Sequence, residues 1–249
     1  PSTYYRIKDE QQNPEKQSHR KQSDKHLMEQ IKQIWQDSGC RYGIRQGIWR
    51  GKGKITTKQR DDQDKPNDLV KRNFTADAPN KLWVADFTYI KTKTGWVYTA
   101  FVIDVFKRVI VGWKVSTRMD TQLVLVALNQ ALDARGRPSG VIHHSDKGNQ
   151  YLLIKYGERL KQSGLAASVG TTGDSYDNAL AESVNGLYKS EVIDYLKKDW
   201  EGINDVARAT LDWVHWYNHE RVHSKNGYLS PIEAENIYFR SLNRSGYVA

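Results

Sequence analysis

Val141-Ile142-His143-His144-Ser145-Asp146-Lys147-Gly148-Asn149-Gln150-Tyr151 opens, and Ser175-Tyr176-Asp177-Asn178-Ala179-Leu180-Ala181-Glu182 closes, the stretch that organises this 249-residue chain. The opening piece reads as a short apolar strand that ends in a carboxylate and a glycine turn. The closing piece is a loop that breaks into a helix carrying a glutamate, with Asp177 placed as its N-cap. Thirty-five residues lie between Asp146 and Glu182, and a third acid, Asp86, sits upstream inside another apolar strand. No local pairing explains these three. Burying an unpaired carboxylate is costly, so together they point to a metal-dependent phosphoryl-transfer site.

Working outward, residues 82–90 form a strand in which Trp83, Val84 and Ile90 surround Asp86. Thr94-Gly95 is a turn, and residues 96–105 and 108–115 are two more strands, reversed at Phe106-Lys107 into an antiparallel meander. Leu123, Leu125, Val126, Leu128 and Leu132 predict a helix over 121–134, stopped by Gly136 and Pro138. Strand four covers 141–145, a helix 150–162 and strand five 165–169. Two helices follow, one around Glu182 and one over 204–217. Three adjacent strands and then alternating helix and strand predict an α/β fold, a mixed five-stranded sheet flanked by helices.

The upstream part has a different character. Residues 1–75 hold 17 Lys and Arg against 10 Asp and Glu, whereas residues 76–249 hold 21 against 19, so most of the net charge of +9 is N-terminal. Arg41 to Arg60 contains no acid, and Arg50, Lys52, Lys54, Lys58 and Arg60 form a basic stretch suited to a phosphate backbone. Leu27, Met28, Ile31, Ile34 and Trp35 recur at helical spacing before it. The expected division is a basic N-terminal region over 1–60, a linker over 61–75, a catalytic core over 76–241 and a tail over 242–249.

A mean hydropathy of −0.74 with 27% charged residues excludes a membrane protein. Cys40 is the only cysteine, which removes disulfide frameworks and thiolate zinc sites and fits a reducing cytosol. The chain begins with Pro1 rather than Met, the pattern of a fragment or of the downstream part of a fusion.

Asp146 ends a strand, where open α/β sheets present ligand-binding side chains, and Gly148 lets the backbone turn behind it. Three gathered carboxylates repel one another unless divalent cations lie between them, and Mg2+ prefers such oxygen ligands. Lys189 lies seven residues after Glu182, about two helical turns, on the face expected to hold a DNA phosphate. Asp104 also lies in an apolar strand, and composition alone does not rank it below Asp86.

Asn80-Lys81-Leu82-Trp83-Val84-Ala85-Asp86-Phe87-Thr88-Tyr89-Ile90, His143-His144-Ser145-Asp146-Lys147-Gly148 and Ser175 to Glu182 closely resemble the catalytic motifs of OrfB-type insertion-sequence transposases of the DDE group, which includes retroviral integrases. The interval from Asp146 to Glu182, Lys189, and the tail Trp216-Tyr217-Asn218-His219-Glu220-Arg221 with Ser230-Pro231 match that pattern too. The resemblance implies a ribonuclease-H-like fold, Asp86, Asp146 and Glu182 as catalytic metal triad, and no place in it for Asp104. It implies two Mg2+ ions, with Mn2+ able to substitute, and strand cleavage and transfer on transposon ends and target DNA. It also implies a homo-oligomer on DNA in the bacterial cytoplasm, associated with the nucleoid, and an upstream helix-turn-helix transposon protein as fusion or partner. Tyr42-Gly43-Ile44-Arg45 resembles the start of a helix-turn-helix region, but Gly51-Lys52-Gly53-Lys54 follows too soon. The N-terminal region therefore reads as shortened. An inactive transposon relic that only binds DNA non-specifically is the alternative.

His219-Glu220-Arg221-Val222-His223 also fits the H-E-x-x-H zinc-protease pattern, a remote alternative. The competing reading is a helix end whose Arg221 touches DNA or packs. His143 and His144 are adjacent strand residues, so at most one can face the acids. Trp49, Trp83, Trp96, Trp113, Trp213 and Trp216 are expected in the core.

Overall fold

The computed structural model describes residues 26–33, 36, 66–146, 154–170, 178–194 and 199–245. The chain divides into two compact units at Gly47/Ile48, ahead of the linker read in the sequence. Within the first unit, residues 26–33 are helical (α1), and Leu27, Met28 and Ile31 are exposed there. The basic residues Arg50, Lys52, Lys54, Lys58 and Arg60 lie outside the described residues.

In the second unit, β1 (Leu82–Thr92), β2 (Gly95–Asp104) and β3 (Val109–Ser116) form the expected antiparallel meander. Helix α2 (Thr121–Ala134) leads to β4 (Ile142–Ser145), α3 (Ile154–Gln162) and β5 (Ala166–Val169). Strands β4 and β5 pair in parallel, and the sheet order is β3-β2-β1-β4-β5. Then come α4 (Ala179–Tyr188), a π-helical segment (Lys189–Asp194), α5 (Ile203–His219) and α6 (Pro231–Ser245). No described helix is long and apolar enough to cross a membrane.

Alternation along β1 sorts its side chains onto two faces. Trp83 and Ala85 join the core that Leu123, Leu128, Tyr156 and Leu160 of α2 and α3 bury. Gly112 on β3 is there because α2 crosses it: an added Cβ would run into the Ala127 carbonyl. The opposite face is aromatic. The Phe101 ring lies 5.2 Å from Tyr188 and 5.8 Å from Trp213, and Trp213 lies 5.0 Å from Tyr217. So α4 and α5 cover this face, the one that Asp86 shares.

Asp104 is fully buried, and its role is structural. Its Oδ2 accepts from the Asn80 amide at 2.8 Å and its Oδ1 from the Phe106 amide at 3.1 Å. It thus ties the start of β1 to the β2–β3 turn. Burial raises its pKa, and the two amides and the Arg135 cation work against that rise.

Helix α6 is the element the sequence reading passed over, and it runs beyond residue 241. Ser230 caps it, accepting from the Glu233 amide at 3.3 Å. Glu235 meets Arg135 at 2.8 Å, and the Tyr238 ring sits 4.7 Å from Phe106. Trp96, expected in the core, is instead 50% exposed, because β1 and β2 extend past the helices there.

The tail motif is architecture. Trp216 and Tyr217 are buried, and the Asn218 side chain donates to the Ile110 carbonyl and accepts from its amide, both at 2.9 Å. That closes the outer edge of β3. Arg221 grips buried Glu191 through Nε and Nη2 at 2.9 and 2.7 Å, and Glu191 also accepts from Trp213 Nε1 at 3.0 Å. Turning Glu191 inward to meet both is what the π-helical turn achieves. Removing the cation leaves a buried charge, so Arg221→Leu should destabilise the fold by about 3–5 kcal/mol. Denaturant unfolding measures this; a side chain serving only as a surface phosphate contact would leave stability unchanged.

Candidate active site

Strands β1 and β4 run parallel, with Ala85 opposite Ser145. The next residue on each is an aspartate: Asp146 leaves β4 at its C-terminal end, the end where open sheets bind ligands, and Asp86 sits mid-strand on β1 at the point where its pairing with β4 stops. Helix α4 supplies the rest. Asn178 is its N-cap residue, in place of the expected Asp177, which lies outside the described residues. Its side chain does not cap the helix; Nδ2 donates to the Ala85 carbonyl at 3.0 Å and moors the helix start beside Asp86. Glu182 follows in the first turn, where the helix dipole favours an acid. One turn on, Asn185 Nδ2 donates to Asp86 Oδ2 at 2.8 Å.

Asp86 therefore has two neutral donors, Asn185 and the Phe87 amide, the latter 2.8 Å from Oδ1. Burial pushes its carboxyl up to about 8, the charges of Asp146 and then Glu182 add to the rise, and the two donors oppose it. The three sequence-predicted acids are thus brought into electrostatic contact. Among the described residues no three His, Cys, Asp or Glu side chains stand close enough to grip one ion jointly. The trio is gathered, not closed.

Chemically this is a hard-oxygen donor set with an unmet need for positive charge at Asp86, and it fits Mg2+ or Mn2+. Asn178 and Asn185 escaped the sequence reading. The signal was there: Asn185 lies three residues after Glu182, on the same face of the helix.

Lys189 begins the π-helical turn, and its Nζ lies 4.8 Å from the centroid of the Tyr89 ring. Arg221 has its guanidinium on Glu191, as described above. His143 and His144 do face opposite ways, and both are buried. His143 Nε2 meets the Tyr156 hydroxyl at 3.1 Å, and burial, then the charge of His144, lowers its pKa to about 3. His144 Nδ1 meets Ser168 Oγ at 2.9 Å.

The H-E-x-x-H reading fails. Helix α5 stops at His219, whose ring stacks on His215 at 4.7 Å. His223 is extended, pairs with Leu229 and packs its ring 4.9 Å from Tyr217. Burial, followed by the Arg221 and Arg108 charges, holds it neutral with a pKa of about 3. The two histidines therefore share no helical face.

Known proteins agree with this architecture. Family models described as "Integrase core domain" match residues 76–175 and 163–231. The transposase for insertion sequence element IS629 of Shigella sonnei is 45% identical, with 100% of this chain and 92% of the relative covered. A putative transposase for insertion sequence element IS986/IS6110 of Mycobacterium tuberculosis (strain CDC 1551 / Oshkosh) is 46% identical, over 80% of this chain and 73% of the relative. Among solved structures, the simian T-cell lymphotropic virus intasome in complex with PP2A regulatory subunit B56 gamma superposes with a TM-score of 0.55 at 18% identity, covering 71% of this chain and 60% of that one. The HTLV-2 integrase catalytic core domain in complex with magnesium gives 0.50 at 18% identity, over 64% and 97%. The sheet order, with helices on both faces, is thus the ribonuclease-H-like fold of integrase cores. Family models and relatives together show that the chain belongs to the integrase-core transposases of insertion sequences, DDE-type polynucleotidyl transferases that act on DNA.

Proposed function

We propose that Asp86, Asp146 and Glu182 are the catalytic metal ligands of this transposase and hold two Mg2+ ions, with Mn2+ able to substitute. The observation that carries the reading is geometric: Asp86 and Asp146 follow the paired residues Ala85 and Ser145 of parallel strands, and the helix bearing Glu182 reaches the Ala85 carbonyl and Asp86 through Asn178 and Asn185. Bound ions would supply neutralising charge at the attacking and leaving oxygens of an in-line displacement at a phosphodiester. Asp86, whose carboxyl feels both Asp146 and Glu182, would be the ligand common to both ions. Asn185 and the Phe87 amide fix the direction of its two oxygens, and Asn178 fixes α4 against β1. No side chain need act as nucleophile; water serves for cleavage and a DNA 3′-hydroxyl for strand transfer. Lys189 contacts a DNA phosphate beside the acids, while Arg221 acts through Glu191 to position the π-helical turn on which Lys189 sits.

The full reading is an N-terminal basic region, a linker and a core that cleaves transposon ends and joins them to target DNA. It works as a homo-oligomer on the nucleoid, in the bacterial cytoplasm, with an upstream helix-turn-helix protein as fusion or partner. An alignment of 276 positions with a 249-residue chain puts gaps on this side, so the chain is shorter than that relative over the aligned stretch.

Asp86→Asn, Asp146→Asn and Glu182→Gln should each lower Mg2+-dependent nicking of a DNA duplex by roughly 100-fold or more while leaving the fold intact. Asp104→Asn should still nick. Wild-type nicking by Asp146→Asn would remove it from the site, and a wild type that cannot nick at all would be a relic.

A pH dependence follows from the same carboxyl. An acid whose folded pKa is raised weakens the fold as pH climbs past its free value, fully so above the raised one. Metal-free stability should therefore fall between pH 3.8 and about 8 and level off beyond, and Asp86→Asn should flatten the slope. Mg2+ binding should strengthen over the same window and release protons. Denaturant titrations across pH, with and without Mg2+, read both; metal-free stability that rises there contradicts the assigned environment.

Arg50, Lys52, Lys54, Lys58 and Arg60 give affinity without sequence information. Log affinity should fall with log salt by roughly 0.9 per phosphate neutralised, and replacing all five with Ala should flatten that slope without changing preference between sequences. A preference above about 100-fold for a terminal repeat over a scrambled duplex, about 2.7 kcal/mol, would instead assign specific reading to the N-terminal region.

A further inference from the structure

Strand β4 ends at Ser145 opposite Ala85, so from Asp86 onward β1 is paired only with β2. On the strand so opened, Tyr89 lies three residues beyond Asp86, about 10 Å along the chain and on the opposite face of the sheet, so the route between them runs round the edge that β4 leaves open. Its ring is 55% exposed, and that of Trp96 across the hairpin is 50% exposed. The two meet edge to face with centroids 5.4 Å apart. Large aromatics at a solvent-facing hairpin give up burial, and no helix among the described residues covers this pair. Two cations frame it. Lys189 comes round from the α4 side to place Nζ 4.8 Å from the Tyr89 centroid, and exposed Lys91 is the register partner of Trp96.

Flat π faces beside ammonium groups match one chemistry in particular, a nucleobase whose own phosphate lies next to it. Aromatic platforms bind bases of any sequence by stacking, and neighbouring cations hold the backbone. A base in an intact duplex has its faces covered, so the platform can act only on one that is unpaired. We propose that Tyr89 and Trp96, with Lys189 and Lys91, form a stacking platform for an unpaired nucleotide of the DNA strand that enters the carboxylate cleft. This deepens the proposed transposase chemistry and rests on it for the location of the cleft. The platform holds open the end of a duplex whose strands must separate for a phosphodiester to reach Asp86.

The test is binding of the full chain, without divalent metal, to a labelled duplex with mismatched terminal base pairs and to a fully paired duplex of equal length. Wild type should prefer the unpaired end on the order of tenfold. Tyr89→Ala and Trp96→Ala should abolish that preference, and Tyr89→Phe and Trp96→Phe, which keep a π face, should retain it. Equal affinity of the wild type for both duplexes overturns the platform, as does a preference that survives in the alanine variants. Mg2+-dependent nicking by Asp86→Asn, measured alongside, tests the catalytic assignment separately. Loss of nicking there with no end preference in the wild type sinks the platform alone. Persistent nicking with an intact, Tyr89-dependent preference sinks the assignment of the acids alone.

Discussion

Mutual repulsion among carboxylates is the constraint that the rest of the molecule answers. Placing Asp86 beside Asp146 requires the end of β4 to lie in register against the middle of β1, and parallel pairing of β1 with β4 requires the intervening meander and α2 to be completed first. Bringing Glu182 to the same point requires a helix anchored across the sheet. The Asn178 contact to the Ala85 carbonyl and the Asn185 contact to Asp86 are that anchor. Both are neutral, so one fixes the helix and the other orients Asp86 without quenching the charge on which the proposed chemistry depends. A lysine in either position would form a tighter pair with Asp86 and compete with a cation for it.

Most of the sheet was legible because its signals are local. Alternation along β1, the reversal after β2 and the apolar period of α2 each lie within a window of a dozen residues, and the strands fall within a residue or two of their expected bounds. The choice between Asp86 and Asp104 was not legible from composition, since both sit in apolar strands. What separates them is that backbone amides of Asn80 and Phe106 satisfy Asp104, whereas the neighbours of Asp86 include two further acids. Within the sequence only the family motif makes that distinction; physically, the fold does.

Periodicity does not report where an element stops. His219 and His223 satisfy helical spacing, but α5 ends between them. Trp96 satisfies strand alternation, and the hairpin simply outruns the helices that would have covered it. Helix α6 was missed although Ser230 and Glu233 stand at the spacing of a capping box and Pro231 occupies the first-turn position it favours. Its packing partners, Arg135 and Phe106, lie about a hundred residues away, and no local pattern shows them.

The distances along the chain between contacting groups have a kinetic side. Asn185 lies 99 residues from Asp86, and Asn218 lies 108 residues from Ile110. The meander and α2 can form as soon as they leave the ribosome, since their contacts are short-range. The acidic centre cannot assemble until α4 has been synthesised and has crossed back over β1, and closing loops of that length slows folding. A chain interrupted before α4 would thus carry all five strands of the sheet without the third acid. In an enzyme that cuts DNA, the last-built part of the fold is also its safety catch.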